Sequence, residues 1–240
     1  MRRIYFLHIM KKTHLLLTFP VIGAILLATA STPIRVPSSI GTSQLYAQST
    51  TSAQKQLISE AYDSKATNLR ITMQNILKEH TVLGNLLLTG IYTGNDTKQL
   101  DSYLSDNSKQ LTSIIQSVYG KNTATPFQQL WKEHMDEYVN YTKARKNSDT
   151  AKADAARSRL DTISIKIGDL LDKAGDNLSA GVVTTLMKEH VNGTLTFVNA
   201  LSSGTPAKQA DAVKSGYIQA GKFADELSRG IILDKPSMFE

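Results

Sequence analysis

Three histidines recur in one setting. Lys78-Glu79-His80, Lys132-Glu133-His134 and Lys188-Glu189-His190 repeat one triplet, spaced by 54 and then 56 residues. Imidazole is a borderline-soft ligand that suits zinc and copper, and three histidines with one open position describe many metal sites. After residue 47 the chain has no other histidine. Imidazole chemistry in the body of the protein therefore rests on His80, His134 and His190.

The flanks extend the repeat. Each triplet follows two apolar residues: Ile76-Leu77, Leu130-Trp131 and Leu186-Met187. Seven residues after each His stands a large apolar or aromatic side chain, Leu87, Tyr141 or Phe197. At position +27 stand Asn107, Asp161 and Tyr217, all polar-capable. Asn107 falls on an apolar stripe with Leu100, Leu104, Leu111 and Ile114, where a buried polar group needs a partner. These three residues are candidates for orienting the imidazole rings or completing a site.

Helices must position these groups. Leu69, Met73, Ile76, His80, Leu83 and Leu87 step by three and four. So do Phe127, Trp131, His134, Tyr138 and Tyr141, and likewise Val183, Leu186, His190, Thr194, Phe197 and Leu201. That spacing is the stripe a helix turns to a core. Each His belongs to the stripe, and the Lys and Glu before it point elsewhere and read as a solvated face. Breaks follow at Gly94-Asn95, Asn147-Ser148 and Ser202-Ser203-Gly204. Asp96, Asp149 and Thr205-Pro206 then open second helices. Those helices are expected to stop near Gly120, Gly175 and Gly230. Thr125-Pro126 is expected to start the second His helix. The fold class is therefore all-α: an antiparallel bundle of three helical hairpins, about six helices. It spans 65–232, with repeats of about 65–120, 121–176 and 177–232, after a lead-in at 48–64 and before a tail at 233–240.

The N-terminus reads as targeting. Arg2, Arg3, Lys11 and Lys12 precede an apolar run from Leu15 to Ala30, the layout of a secretory signal. Small-residue cleavage sites follow Ala30 and Ala47, and the segment between them, with Pro33 and Pro37, reads as linker. An uncleaved anchor is the alternative, although the run contains Pro20 and is shorter than the ~20 residues of a spanning helix. Either reading puts residues 48–240 outside the cytoplasm, secreted or at the outer face of the membrane. Membrane contact would then be through the N-terminal segment alone.

Charge points the same way. The whole chain carries +6, but its first 47 residues hold five basic and no acidic residues. The remainder has 22 basic against 21 acidic residues, a net of +1, so no nucleic-acid footprint remains. The chain has no cysteine, which excludes thiol catalysis, haem attachment through Cys and all-Cys zinc sites.

No Gly-rich phosphate loop, His-Glu-x-x-His, Gly-x-Ser-x-Gly or Glu-x-x-His pair occurs, and nothing pairs a nucleophile with a base. No enzyme is expected. Four Asn-x-Ser/Thr triplets, at Asn95, Asn140, Asn177 and Asn192, match the glycosylation acceptor, two of them inside expected helices. Trp131, Tyr138 and Tyr141 form an aromatic stripe, either core or the lining of a small pocket.

Leu-Trp-Lys-Glu-His at 130–134, Tyr138 to Thr142, Ser-Val-Tyr-Gly at 117–120, and His190 followed by Phe197 resemble a poorly characterised family of exported helical proteins of bacteria and archaea. Members carry one His in each helical repeat, and some bear a copper amine oxidase-like label. The resemblance covers about residues 65–230 and implies no established activity. Asn140-Tyr141 is followed by Thr142, not by the acidic residue of the quinone-forming tyrosine motif of true amine oxidases.

Three roles stay open for the histidines: a shared metal site, structural residues that each bond a neighbouring helix, or proton-sensitive groups. The leading expectation is an extracytoplasmic binding protein with zinc or copper on His80, His134 and His190. The alternative is a structural or interaction module of the cell envelope. The expected partner is accordingly a metal ion or an envelope component, and no nucleic acid.

Overall fold

The computed structural model describes residues 52–240; the charged and apolar N-terminal run, its cleavage sites and the linker lie outside them. The described chain is seven α-helices: α1 (Ser52–Tyr62), α2 (Lys65–Thr93), α3 (Lys98–Tyr119), α4 (Lys121–Lys146), α5 (Thr150–Asp172), α6 (Ala180–Ser203) and α7 (Pro206–Asp234). A 3-10 turn at Pro236–Met238 closes it, and there is no strand among the described residues. The class read from the three-and-four spacing is the class observed. No helix among the described residues is long and apolar enough to cross a membrane.

Local chemistry sets the ends. Ser64 caps α2 by accepting from the Thr67 amide, and Asp149 caps α5 by accepting from the Lys152 amide. Gly94 and Gly204 end α2 and α6 in the left-handed region, at φ of 85° and 69°, where a glycine pays no Cβ penalty. Asp96 accepts from the Lys98 amide, although Thr97 is the residue at the cap position of α3.

Three punctuation expectations are corrected. First, α4 begins at Lys121, and Pro126 lies inside it. Gly120, at φ 80°, reverses the chain in one residue, and its carbonyl accepts from the Thr123 and Ala124 amides. The helix is thus under way before Pro126, which gives up the bond its amide would have made one turn back. Second, Gly230 does not stop α7, which continues to Asp234. Gly230 is buried, and a Cβ there would run into the Leu178 side chain and the Asn177 carbonyl. It is a close-approach glycine. Third, Thr205 stands at the cap of α7 with Pro206 behind it, but its side chain makes no capping bond.

The His helices are α2, α4 and α6. Each packs against the helix that follows it, giving hairpins α2/α3, α4/α5 and α6/α7. Neighbouring hairpins meet through α3 with α4 and α5 with α6, and α7 returns to α2, so the six helices close a ring. Inside the ring α2, α4 and α6 also touch one another. Apolar residues form two clusters along this axis. One gathers Met73, Leu77, Phe127, Trp131, Met187 and Phe223. The other gathers Leu88, Tyr138, Tyr141, Leu160, Leu195 and Phe197. In each His helix the histidine falls between residues of the first cluster and residues of the second.

Candidate metal centre

His80, His134 and His190 occupy that boundary layer together. One ring nitrogen from each lies within 4.8 Å of the others. The ring centroids are 5.5 Å (80 to 134), 6.0 Å (80 to 190) and 6.2 Å (134 to 190) apart. With metal–nitrogen bonds of ~2.0–2.1 Å, tetrahedral ligands stand about 3.4 Å apart. The nitrogens therefore stand at most about 1.4 Å farther apart than ligands of one ion would.

The rings are 2 %, 0 % and 7 % exposed. Burial pushes their pKa values down: to about 3 at His80, where the neighbouring His190 adds to it, to about 4 at His190, and well below the ordinary imidazole value at His134. Near neutral pH all three are therefore uncharged, with one lone pair each to offer. His80 Nδ1, both nitrogens of His134 and His190 Nε2 have no hydrogen-bond partner. Buried polar atoms are ordinarily paired, and leaving one unpaired costs about 1–3 kcal/mol. Four unpaired nitrogens are therefore costly to the fold, and a bound ion would take up one lone pair from each ring.

Carboxamides tend the layer from the second helices. Asn107 is 1 % exposed and donates to the Ile76 carbonyl at 2.9 Å and to the Glu79 carboxylate at 2.8 Å. Its oxygen makes no other bond, and the amide supports the protonated form of His80 against burial. Gln219 behaves alike: it donates to the Leu186 carbonyl at 2.9 Å, leaves its oxygen otherwise unbonded, and supports His190. Ile76 and Leu186 each stand one turn before their histidine.

The other two position +27 residues do not join them. Asp161 is half-buried, and no hydrogen bond links it to a histidine among the described residues. Tyr217 is 46 % exposed and lies under the Lys78 ammonium, 5.1 Å from the ring centre. Gln219 stands at position +29 from its histidine, outside the offset that marks Asn107. The loops between paired helices differ, four residues at 94–97 and two at 204–205, so no fixed offset keeps both helices in register. Glu79 also does more than face solvent, since it anchors Asn107.

Aromatic rings wall the layer. Trp131 lies 5.0 Å from His80 and 4.5 Å from His134, centre to centre. Tyr138 stands edge-on to His134 and His190 at 5.4 and 6.0 Å. Tyr138 is fully buried, its pKa is raised by that burial, and its hydroxyl has no hydrogen-bond partner. Two cavities of about 10 Å³ each flank the layer. One is bounded by His80, Gly84, Tyr138, His190 and Thr194, the other by Leu77, His80, Trp131, His190 and Phe223. A single water needs about as much room, and an organic ligand needs roughly 300 Å³ or more. Each cavity therefore has room for a guest of about one atom.

No protein-family model matches the chain, and neither a curated protein nor a solved structure is similar to it.

Proposed function

We propose that the protein is an extracytoplasmic binding protein that holds a zinc or copper ion on His80, His134 and His190. The observation that carries the reading is the meeting of three buried, neutral imidazoles within 4.8 Å, four of their nitrogens unpartnered. Asn107 and Gln219, each donating to the carbonyl one turn before His80 or His190, stand next to the turns that carry two of these ligands. The basic and apolar N-terminal sequence supports export, where zinc and copper are met without cytosolic loading.

A structural role for the rings, in a module of the cell envelope, is favoured by one observation: their close packing around Trp131. His134→Phe separates the two. Phenylalanine keeps a packed ring and removes two unpaired nitrogens. Under the metal reading the metal-free variant gains stability, by about 1–3 kcal/mol, and loses zinc and copper(II) binding. Isothermal titration of the demetallated full chain and urea unfolding measure both. Under the structural reading the variant loses stability, and the parent chain takes up neither metal.

A further inference from the structure

A buried site needs an entrance. The three rings are at most 7 % exposed, and each flanking cavity holds about one atom. A groove of about 530 Å³ lies where α3 and α4 meet over α2. Its floor is apolar (Leu87, Leu104, Met135 and Val139) and its rim is polar.

Met135 belongs to two places at once. It lines this groove, and it lines the inner cavity with His80, Tyr138 and His190. It follows His134 in sequence and is half-buried. The other inner cavity is walled by Trp131 and Phe223, and Trp131 stacks on Phe127 at 5.5 Å. That wall is made of large, interlocked rings. On the Met135 side stands Gly84, where an added Cβ would meet nothing within 4 Å. Methionine is unbranched, with three rotatable bonds and a soft sulfur, and is the side chain most easily re-packed. A movable side chain thus separates groove from chamber, with open space beside it to turn into.

We propose that Met135 is the gate of the histidine layer, and that a metal ion enters through the α2–α3–α4 groove past its thioether. The inference rests on the metal reading of the three histidines. A side chain that only sets the barrier to entry changes uptake and release rates alike and leaves the equilibrium affinity unchanged.

Two variants of the full chain test it. Met135→Ala opens the gate. Ser105→Cys places a thiol on the exposed groove rim of a cysteine-free protein, so that a bulky maleimide can cap the groove. The first readout is the rate of zinc uptake by demetallated protein, in stopped flow against a chromophoric chelator. The second needs no metal: the rate at which diethyl pyrocarbonate acylates His80, His134 and His190, followed by peptide mass spectrometry. M135A raises both rates about tenfold, as a barrier about 1.4 kcal/mol lower would, with equilibrium zinc affinity unchanged. Capped S105C lowers both by a similar factor. Unchanged rates in both proteins overturn the gate. If M135A loses its fold, capped S105C decides alone, because its change lies at an exposed serine. If the parent chain takes up no zinc, the metal reading fails, and the acylation rates still decide whether Met135 guards the layer.

Discussion

Asn107 is the side chain whose position asks most for a reason. An amide that is 1 % exposed on an apolar stripe costs free energy unless its groups are used. Two of its hydrogens are, by the Ile76 carbonyl and Glu79, while its oxygen has no hydrogen-bond partner. The amide thus ties a carboxylate at the surface to the buried turn of α2 that precedes His80. Replacing it with leucine should weaken zinc binding by about 10–100-fold, the usual loss when such an outer partner is removed. Stability of the metal-free chain should move by less than about 1 kcal/mol, because the leucine fills similar volume and removes an unpaired oxygen. Competition titration and urea unfolding give the two numbers. An unchanged affinity would mean that Asn107 serves the α2–α3 contact and not the site. This residue was legible in the sequence because it broke an apolar pattern. Gln219 broke none, since Tyr217, Ile218 and Ala220 around it gave no stripe to interrupt.

Helices were legible wherever spacing set them, and less so where a single residue had two uses. Of the stripe read on α2, Met73, Ile76, His80 and Leu87 are buried, and Leu69 and Leu83 at its edges are half-buried. Glycine was the ambiguous letter. Gly94 and Gly204 end helices through positive φ, whereas Gly230 continues one, because Leu178 from the α5–α6 connection presses against it. The sequence does not distinguish a glycine that turns the chain from one that admits a neighbour. The α7 terminus is then fixed by Asp234, which accepts from Tyr119 at 2.6 Å and from the Asn177 amide and side chain at 2.8 Å. Two helix-interior glycines should therefore respond oppositely to alanine. Gly84→Ala adds a methyl to open space and gains helix propensity, so it should stabilise by about 0.5–1 kcal/mol. Gly230→Ala drives a methyl into Leu178 and the fixed Asn177 carbonyl, a cost of about 1–3 kcal/mol that outweighs the same propensity gain. Thermal unfolding of the two variants reads the signs. Destabilisation by Gly84→Ala would contradict the open space at that position.

At the scale of the whole molecule the repeat gave equal histidine positions but not their meeting point. Three hairpins strung in a row would have kept the pattern and left the rings far apart. Closure of α7 onto α2 makes the difference, and it depends on contacts between the two ends of the bundle, such as Arg70 and Gln74 with Asp225, that no local spacing announces. Closure also couples folding to pH. In the metal-free fold His80 and His190 are held neutral down to about 3 and 4, and His134 is lowered well below the ordinary value, all by burial first. In the unfolded chain each takes a proton near pH 6.5. Between about pH 6.5 and 4 the unfolded state therefore binds up to three more protons than the native one at these positions. Stability must fall as the pH falls through that window, at up to about 1.4 kcal/mol per pH unit for each histidine. The lowered carboxyls of Asp225 and Asp234 act only further down, below their ordinary range near 3.8, so the two losses separate on the pH axis. Urea unfolding of demetallated protein at pH 7, 6, 5 and 4.5 should show the decline, and replacement of all three histidines by phenylalanine should flatten it. Zinc at pH 7 should act the other way, adding about 2.7 kcal/mol at a free concentration one hundred times its dissociation constant. That gain should vanish as protons compete for the same lone pairs. A stability level from pH 7 to 4.5 in the metal-free chain would mean that the rings take up protons inside the fold, and that the layer is wetter than its two small cavities allow.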